Sequence, residues 1–424
     1  MLSSEQRPDD QPALSDDGNE GRRSPADVVI PELSRRAFLG TSLGAMALSS
    51  LPWAGAPIPP SWHWAGRGNP GPGVTYGIGA VAVVDRNVSP ASRPFVFVRA
   101  EDSHLWILWQ RPDGIFEWVD QGGKVDRPVG VIALDDRPEG NRPYAFVIRD
   151  QHLWVRWWNG TTWLWSDQGQ PPGVNLFRGL GAVTVALKPS MSPAPFAVVI
   201  GSDGNAWVNW WNGSSWLWHS MGTPGVVGIG SSMGVLAVTD ERTGEQSLQV
   251  YVWGSDGQLW LGVTDTVYSR WTALGSPPYP SIIGGPAGAA IIKRGPGQLS
   301  QACCFVLSGG TSNVWVCQDD SWLDVGAPLS DHYALASLGA ISVPDSTNDS
   351  QYALVFVTDG NNSVWACRWD GVKAVWEDHG NPTGRTIDAG IGICNTTYPS
   401  PGGPPLPNAF VRTTDGLVYE NWEQ

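Results

Sequence analysis

The 424-residue sequence predicts an all-β fold: a seven-bladed β-propeller of four-stranded blades, closed by pairing an N-terminal strand with the C-terminal blade. Three observations predict it. The composition favours turns and short strands, with 52 glycines, 35 prolines and only 16% charged residues. A tryptophan-rich pattern recurs seven times at the spacing of four-stranded units. The two ends of the chain hold complementary fragments of one such unit.

The first 56 residues stand apart. Residues 1–33 are polar, with "PDDQPALSDDGNEGRRSP", a composition that cannot bury a core. Ser34-Arg35-Arg36-Ala37-Phe38-Leu39-Gly40 then looks like a twin-arginine export signal, followed by a mild apolar run. That run is shorter than the roughly 20 residues a membrane span needs. The bland alternative is a chance arginine pair before a buried helix. Ala54-Gly55-Ala56 offers small residues for cleavage, but Pro57 follows; cleavage nearer Ala47–Ser50 and retention as a membrane anchor are the other outcomes. The expected domains are thus a leader and signal segment, 1–56, and a propeller, 57–424, exported to work outside the cytoplasm.

The repeat is read from three markers. Trp-x-x-x-Gly occurs at Trp64–Gly68, Trp118–Gly122, Trp165–Gly169, Trp218–Gly222, Trp271–Gly275, Trp322–Gly326 and Trp376–Gly380. Upstream lies an aromatic on an apolar strand: Trp106, Trp154, Trp207, Trp260, Trp315, Trp365 and Tyr419. Further upstream, Gly79, Gly130, Gly181, Gly234, Gly288, Gly339 and Gly392 each open a small-residue strand. One register kept seven times by three markers is a structural repeat.

Each unit reads as four strands. Strand A, as in "GAVTV" (181–185), is small because it crowds the ring axis. Strand B is apolar, as in "PFAVVI" (195–200). Strand C carries the aromatic, as in "AWVNWW" (206–211), and strand D ends the unit, as in "SWLWHSMG" (215–222). Asp203-Gly204, Asp256-Gly257 and Asp415-Gly416 mark hairpins between B and C; Asn159-Gly160, Asn212-Gly213 and Asp370-Gly371 mark those between C and D. The glycine closing strand D suits a conformation closed to other residues.

The chain ends supply the closure. The last unit has strands A, B and C and stops at Gln424, whereas "SWHWAGRGNP" (61–70) is a strand D with nothing before it. Joining them completes one blade and removes the open sheet edges. With these markers the pattern resembles the bacterial PLL-type seven-bladed lectins and, more distantly, the fungal fucose-specific lectins, over residues 61–424. The resemblance implies sugar pockets between neighbouring blades, mostly for fucose-type sugars. It transfers no individual binding residue.

The tryptophans divide into two groups. Thirteen of the 25 are blade markers, read as inter-blade packing. Of the rest, nine crowd the closing blade and the first three: Trp62, Trp109, Trp157, Trp158, Trp163, Trp210, Trp211, Trp216 and Trp422. Packing is needed equally in every blade, so a one-sided excess points to a functional surface. A two-residue turn at Asn159-Gly160 would set Arg156 opposite Trp163 and Trp154 opposite Trp165. Alternation then places Arg156, Trp158 and Trp163 on one blade face, and Asn209, Trp211 and Trp216 on the next. These six are the candidate ligand-binding residues: sugar C–H faces stack on indole while a polar group takes hydroxyls. The competing reading for Arg156 is a structural cation–π stack.

Other chemistry is sparse. "GSDGNAW" (201–207) is a plain hairpin and lacks the Asp-box pattern of sialidase-like propellers, and the six histidines show no metal spacing. No catalytic residue, metal or cofactor is assigned. Five cysteines lie in blades 5–7; Cys303 or Cys304 meets Cys317 across a hairpin, or all serve as small apolar residues. Outside the leader, which has eight acids and five bases, the chain keeps a net charge of −11 of the total −14. That argues against nucleic acid and against membrane contact beyond an uncleaved signal anchor. The expected function is carbohydrate binding without catalysis, with glycans or glycoconjugates as partners. The alternatives are a propeller glycosidase or lyase, and a protein-interaction scaffold.

Overall fold

The computed structural model describes residues 62–423, apart from 226, 279–284, 309–311, 329–333 and 346–347. The leader, with its twin-arginine motif and cleavage sites, lies outside the described residues.

The described chain forms a β-propeller of seven four-stranded units. Blade 1 holds Val74–Asp85, Ser89–Ala100, His104–Gln110 and Phe116–Lys124; blade 2 holds Arg127–Arg137, Gly140–Arg149, His152–Trp158 and Trp163–Gly169. Blade 3 holds Leu176–Val185, Ala194–Gly201, Ala206–Trp211 and Trp216–Gly222. Blades 4, 5 and 6 span 229–275, 285–326 and 334–380. Blade 7 combines Ile387–Thr396, Leu406–Thr413 and Val418–Glu423 with Trp62–Gly68 from the other end of the chain. That last pairing is antiparallel, with Trp64 opposite Asn421. It is the closure the complementary ends predict. Strand A of each blade touches strand A of the next, including blade 7 on blade 1.

The seven strand-D tryptophans explain how the blades hold together. Each donates its indole N–H to the backbone carbonyl just before the terminal glycine of the preceding blade. Trp118 bonds Arg67 O (2.9 Å), Trp165 bonds Gln121 O (3.0 Å), Trp218 bonds Gln168 O (3.1 Å) and Trp271 bonds Met221 O (2.8 Å). Trp322 bonds Leu274 O (2.9 Å), Trp376 bonds Val325 O (3.2 Å) and Trp64 bonds His379 O (2.6 Å). The circuit runs once round the ring. The terminal glycine beside each acceptor has positive φ, from +59° at Gly122 to +84° at Gly326, which other L-residues resist. The strand-C tryptophans add a second device. Trp106, Trp207, Trp260 and Trp365 donate to the hairpin aspartates Asp102, Asp203, Asp256 and Asp359 of their own blades.

The core is distributed. Among the described residues, each of the seven inter-blade gaps has its own hydrophobic cluster. Burying one Phe or Leu side chain is worth about 1.5–3 kcal/mol, so stability rests on gap after gap and not on one centre. At the axis the strand-A glycines admit a close approach: a Cβ on Gly392 would lie 2.3 Å from Ala80 N.

Two expectations need correction. Strand A does not open at its glycine. In blade 3 it begins at Leu176, and Gly181 (φ +153°) sits at a bulge within it; residues before the glycine still find partners on strand B. The Asn159-Gly160 hairpin is also not a two-residue turn. Trp158 pairs with Trp163 and Arg156 with Trp165, while Asn159 N donates to Thr162 O at 3.1 Å. The Asn159 side chain caps the wider loop by accepting from Thr161 N and Thr162 N. Blade 3 repeats this, with Trp211 opposite Trp216. The register slips by two residues, which leaves the side-chain faces as expected.

The cysteines are free thiols, all five buried. Cys304 and Cys317 are cross-strand partners, so one predicted meeting occurs, without a disulfide. Burial pushes the thiols of Cys303, Cys317 and Cys367 up to about 12, so they behave as small apolar side chains.

Candidate functional site

A cleft of about 620 Å³ opens between blades 1 and 2. Blade 1 contributes Arg93 and Phe95 from strand B, Trp109 from strand C and Glu117 from strand D. Blade 2 contributes Trp158 and Trp163, from either side of the Asn159 loop, and the turn carrying Arg137 and Glu139.

The walls are built by cross-strand pairs. Phe95 faces Trp109 in register, with ring centroids 5.5 Å apart. Trp158 and Trp163 stand 5.7 Å apart and tilted by 58°. Trp163 also sets its edge against Phe97 of blade 1 at 6.1 Å, so it both lines the cleft and packs the gap. Trp109, Trp158 and Trp163 are half-buried. Among the described residues their indole N–H groups make no hydrogen bond, which leaves three donors at the cleft wall.

The inner end is rigid. Asp85 and Gly140 pair as backbone, joining the sheets of the two blades. Arg86 N donates to Glu139 O (2.7 Å), Val84 N to Asn141 Oδ1 (2.7 Å), and Asn141 Nδ2 to Ala82 O (3.2 Å). Gly140 is obligatory here: its φ is +131°, and a Cβ would stand 2.0 Å from Val84 O. Arg137 Nη1 donates to Asn159 O at 2.6 Å and so ties the tryptophan loop to this seam.

The six sequence-predicted residues separate. Trp158 and Trp163 line the cleft. Arg156 lies below it, with Nε donating to Gln121 Oε1 at 3.2 Å and its guanidinium 5.4 Å from the Trp165 ring. This is the cation–π stack, and burial lowers the Arg156 pKa. Asn209 is 0% exposed; its Nδ2 donates to Leu217 O at 3.3 Å and its Oδ1 is unpartnered. Arg156 and Asn209 each stand opposite a strand-D tryptophan of the ring circuit. The equivalent positions in other blades are Leu108, Gly262, Cys317 and Cys367, all buried, whereas Arg156 is half-buried. Trp211 and Trp216 occupy the next gap, 5.8 Å apart, with Trp216 edge-on to Phe146 at 6.0 Å.

Arg93, Glu117, Arg137 and Glu139 were not among the predicted residues. A signal was present. Trp109 lies three positions after the marker Trp106, hence on the opposite face of strand C, toward blade 2. Its strand-B neighbours on that face, Phe95 and Arg93, follow from the register.

No protein-family model matches the chain, and no curated protein does. Solved structures do. AofleA from Arthrobotrys oligospora is 12% identical, with TM-score 0.47 over 75% of this chain and 90% of that one. The lectin of Aleuria aurantia, a six-bladed β-propeller with a fucose recognition mode, is 16% identical, with TM-score 0.46 over 74% of this chain and 99% of that one. YCF48 bound to D1 peptide is 11% identical, with TM-score 0.44 over 85% and 94%. No residue role is transferred from them.

Proposed function

We propose that this chain is an exported carbohydrate-binding propeller that takes a sugar in the cleft between blades 1 and 2, without catalysis. The observation that carries the reading is the cleft itself. Three tryptophans with free indole donors stand around a space of about 620 Å³, within the 300–1,000 Å³ usual for small-ligand sites. Carboxylates and guanidinium groups share its walls. Sugar C–H faces need flat apolar rings and sugar hydroxyls need convergent polar groups; both are supplied within one gap. Trp211 and Trp216 are proposed as a second, weaker contact in the next gap. The sequence resemblance to PLL-type and fucose-specific lectins makes fucose-type sugars one arm of the test. Export through the twin-arginine route is part of the same proposal: that route carries folded proteins, and the ring closes only once Val418–Glu423 has paired with Trp62–Gly68.

A glycan array of residues 57–424 tests the reading. Hits are expected, weakened by Trp158→Ala and Trp109→Ala at unchanged fold. No hits, or hits insensitive to both substitutions, would sink the cleft as a sugar site. Hydrolysis of a chromogenic glycoside panel, abolished by Glu117→Gln, would move the protein to the glycosidases instead.

A further inference from the structure

Blades 1 and 2 carry the same arginine at the same place. Arg93 and Arg142 each stand two residues before the strand-B aromatic that pairs with a strand-C tryptophan, Phe95 with Trp109 and Tyr144 with Trp157. Each blade also has an aspartate six residues after its strand-A glycine: Asp85 after Gly79 and Asp136 after Gly130. In blade 2 the two groups meet. Arg142 forms an ion pair with Asp136, its Nε 2.9 Å from Asp136 Oδ1.

In blade 1 they do not meet. Asp85 is drawn into the backbone pairing with Gly140, and its Oδ1 accepts from Asn87 N at 3.1 Å. Arg93 is left 2% exposed, with Nη1 donating to Gln110 O at 3.1 Å and its guanidinium 5.9 Å from the Trp109 ring. Its Nε is buried with no partner, and it has no ion pair among the described residues. Burial pulls its pKa down, opposed by the more distant charge of Asp85. A buried cation without a counter-ion is costly unless something else supplies one, and Arg93 lines the cleft.

We propose that Arg93 is the receptor for a carboxylate on the ligand, so that the cleft selects an acidic glycan, of uronic or sialic type, over its neutral counterpart. This rests on the reading of the cleft as a sugar site and adds the charge class of the sugar. Three carboxylates share the cleft: half-buried Asp85 makes no ion pair with Arg93 and accepts from Asn87 N, and the other two lie at the surface. Glu117 and Glu139 are exposed, where solvent and salt screen them, and they are acceptors for sugar hydroxyls. A guanidinium fork matches a carboxylate in geometry as well as charge.

Calorimetric titration with a glucuronic-acid-terminated oligosaccharide, its carboxyl-reduced glucose form and a sulfated analogue tests this. The acid should bind the native protein about tenfold or more tighter than the reduced form, the worth of one charge-assisted hydrogen bond. Arg93→Met should erase the preference, and Arg93→Lys should keep part of it; the latter also decides the matter if the former fails to fold. Equal binding of acid and neutral forms, a preference for the sulfated form, or a preference surviving in Arg93→Met would overturn the proposal while leaving a glycan site in place. Absence of binding to all three, and to fucosylated neutral glycans, would remove the glycan reading itself.

Discussion

Acidification should loosen the ring at its closing seam, through His379. This residue ends strand D of blade 6, where the N-terminal strand docks. Its ring stacks on Trp62 with centroids 3.7 Å apart, and its carbonyl accepts from Trp64. Its Nδ1 lies 2.7 Å from Asn421 Oδ1, and the Asn421 amide donates to His63 O, which orients that oxygen toward the imidazole. The Nδ1 therefore carries the proton of the neutral ring. The second proton must go on Nε2, which is buried with no partner among the described residues. Burial outweighs the Asn421 contact and pulls the pKa from 6.5 down to about 4. The unfolded chain then takes up the proton first as pH falls. The contribution is fully present above about pH 6.5 and is lost between there and pH 4, by about 2 kcal/mol at pH 5 and about 3 kcal/mol at the acid limit. Urea unfolding of the native domain and of His379→Gln at pH 7 and pH 5 reads it. The variant starts less stable but should lose about 2 kcal/mol less on going to pH 5. Other groups, Glu420 and Glu423 included, titrate in both proteins and cancel in the difference. Equal losses in the two proteins, or an imidazole pKa above 6 for His379 by NMR, would refute the reasoning.

Three further outcomes follow from the packing. Trp165→Phe keeps the ring but removes one inter-blade hydrogen bond to Gln121 O, and should lower unfolding stability by about 1 kcal/mol; an unchanged midpoint would show the circuit to be incidental. Gly392→Ala drives a Cβ against the Ala80 backbone, whereas Gly228→Ala meets nothing nearer than 3.6 Å. The first should cost more than about 3 kcal/mol and the second well under 1, by thermal or urea unfolding, and equal costs would contradict the close approach at the axis. All five thiols should resist an aromatic disulfide reagent in the native protein and react after guanidinium unfolding, since all are buried; rapid native labelling would place a thiol at the surface.

Much of the ring was legible because a propeller repeats its grammar. The positions of Trp165 and Gly169 within their blade, the fourfold strand order and the complementary ends are all local patterns, and periodicity multiplied each one. Side-chain face was legible too, since a register slip of two residues preserves it. The acceptors of the tryptophan ring were not, because Gln121 O is a backbone atom in another blade, chosen by how two sheets pack. The candidate site divides the same way. Alternation put Trp158 and Trp163 on one face correctly, yet it could not tell that Arg156 turns to Gln121 and the Trp165 ring and stays out of the cleft lining.

What the sequence by itself determined is the number of blades, their strands and the pairing of the chain ends, for hydrophobic periodicity and turn chemistry act within about ten residues. What only the tertiary structure decided is which polar groups are left open. Arg93 and Arg142 are alike in sequence context, and so are Asp85 and Asp136. One pair closes and the other does not: the Asp85 backbone is paired across the gap with Gly140, and its carboxylate turns to Asn87 N. A charge is satisfied or stranded by what crosses the gap, and strand periodicity carries no information about that.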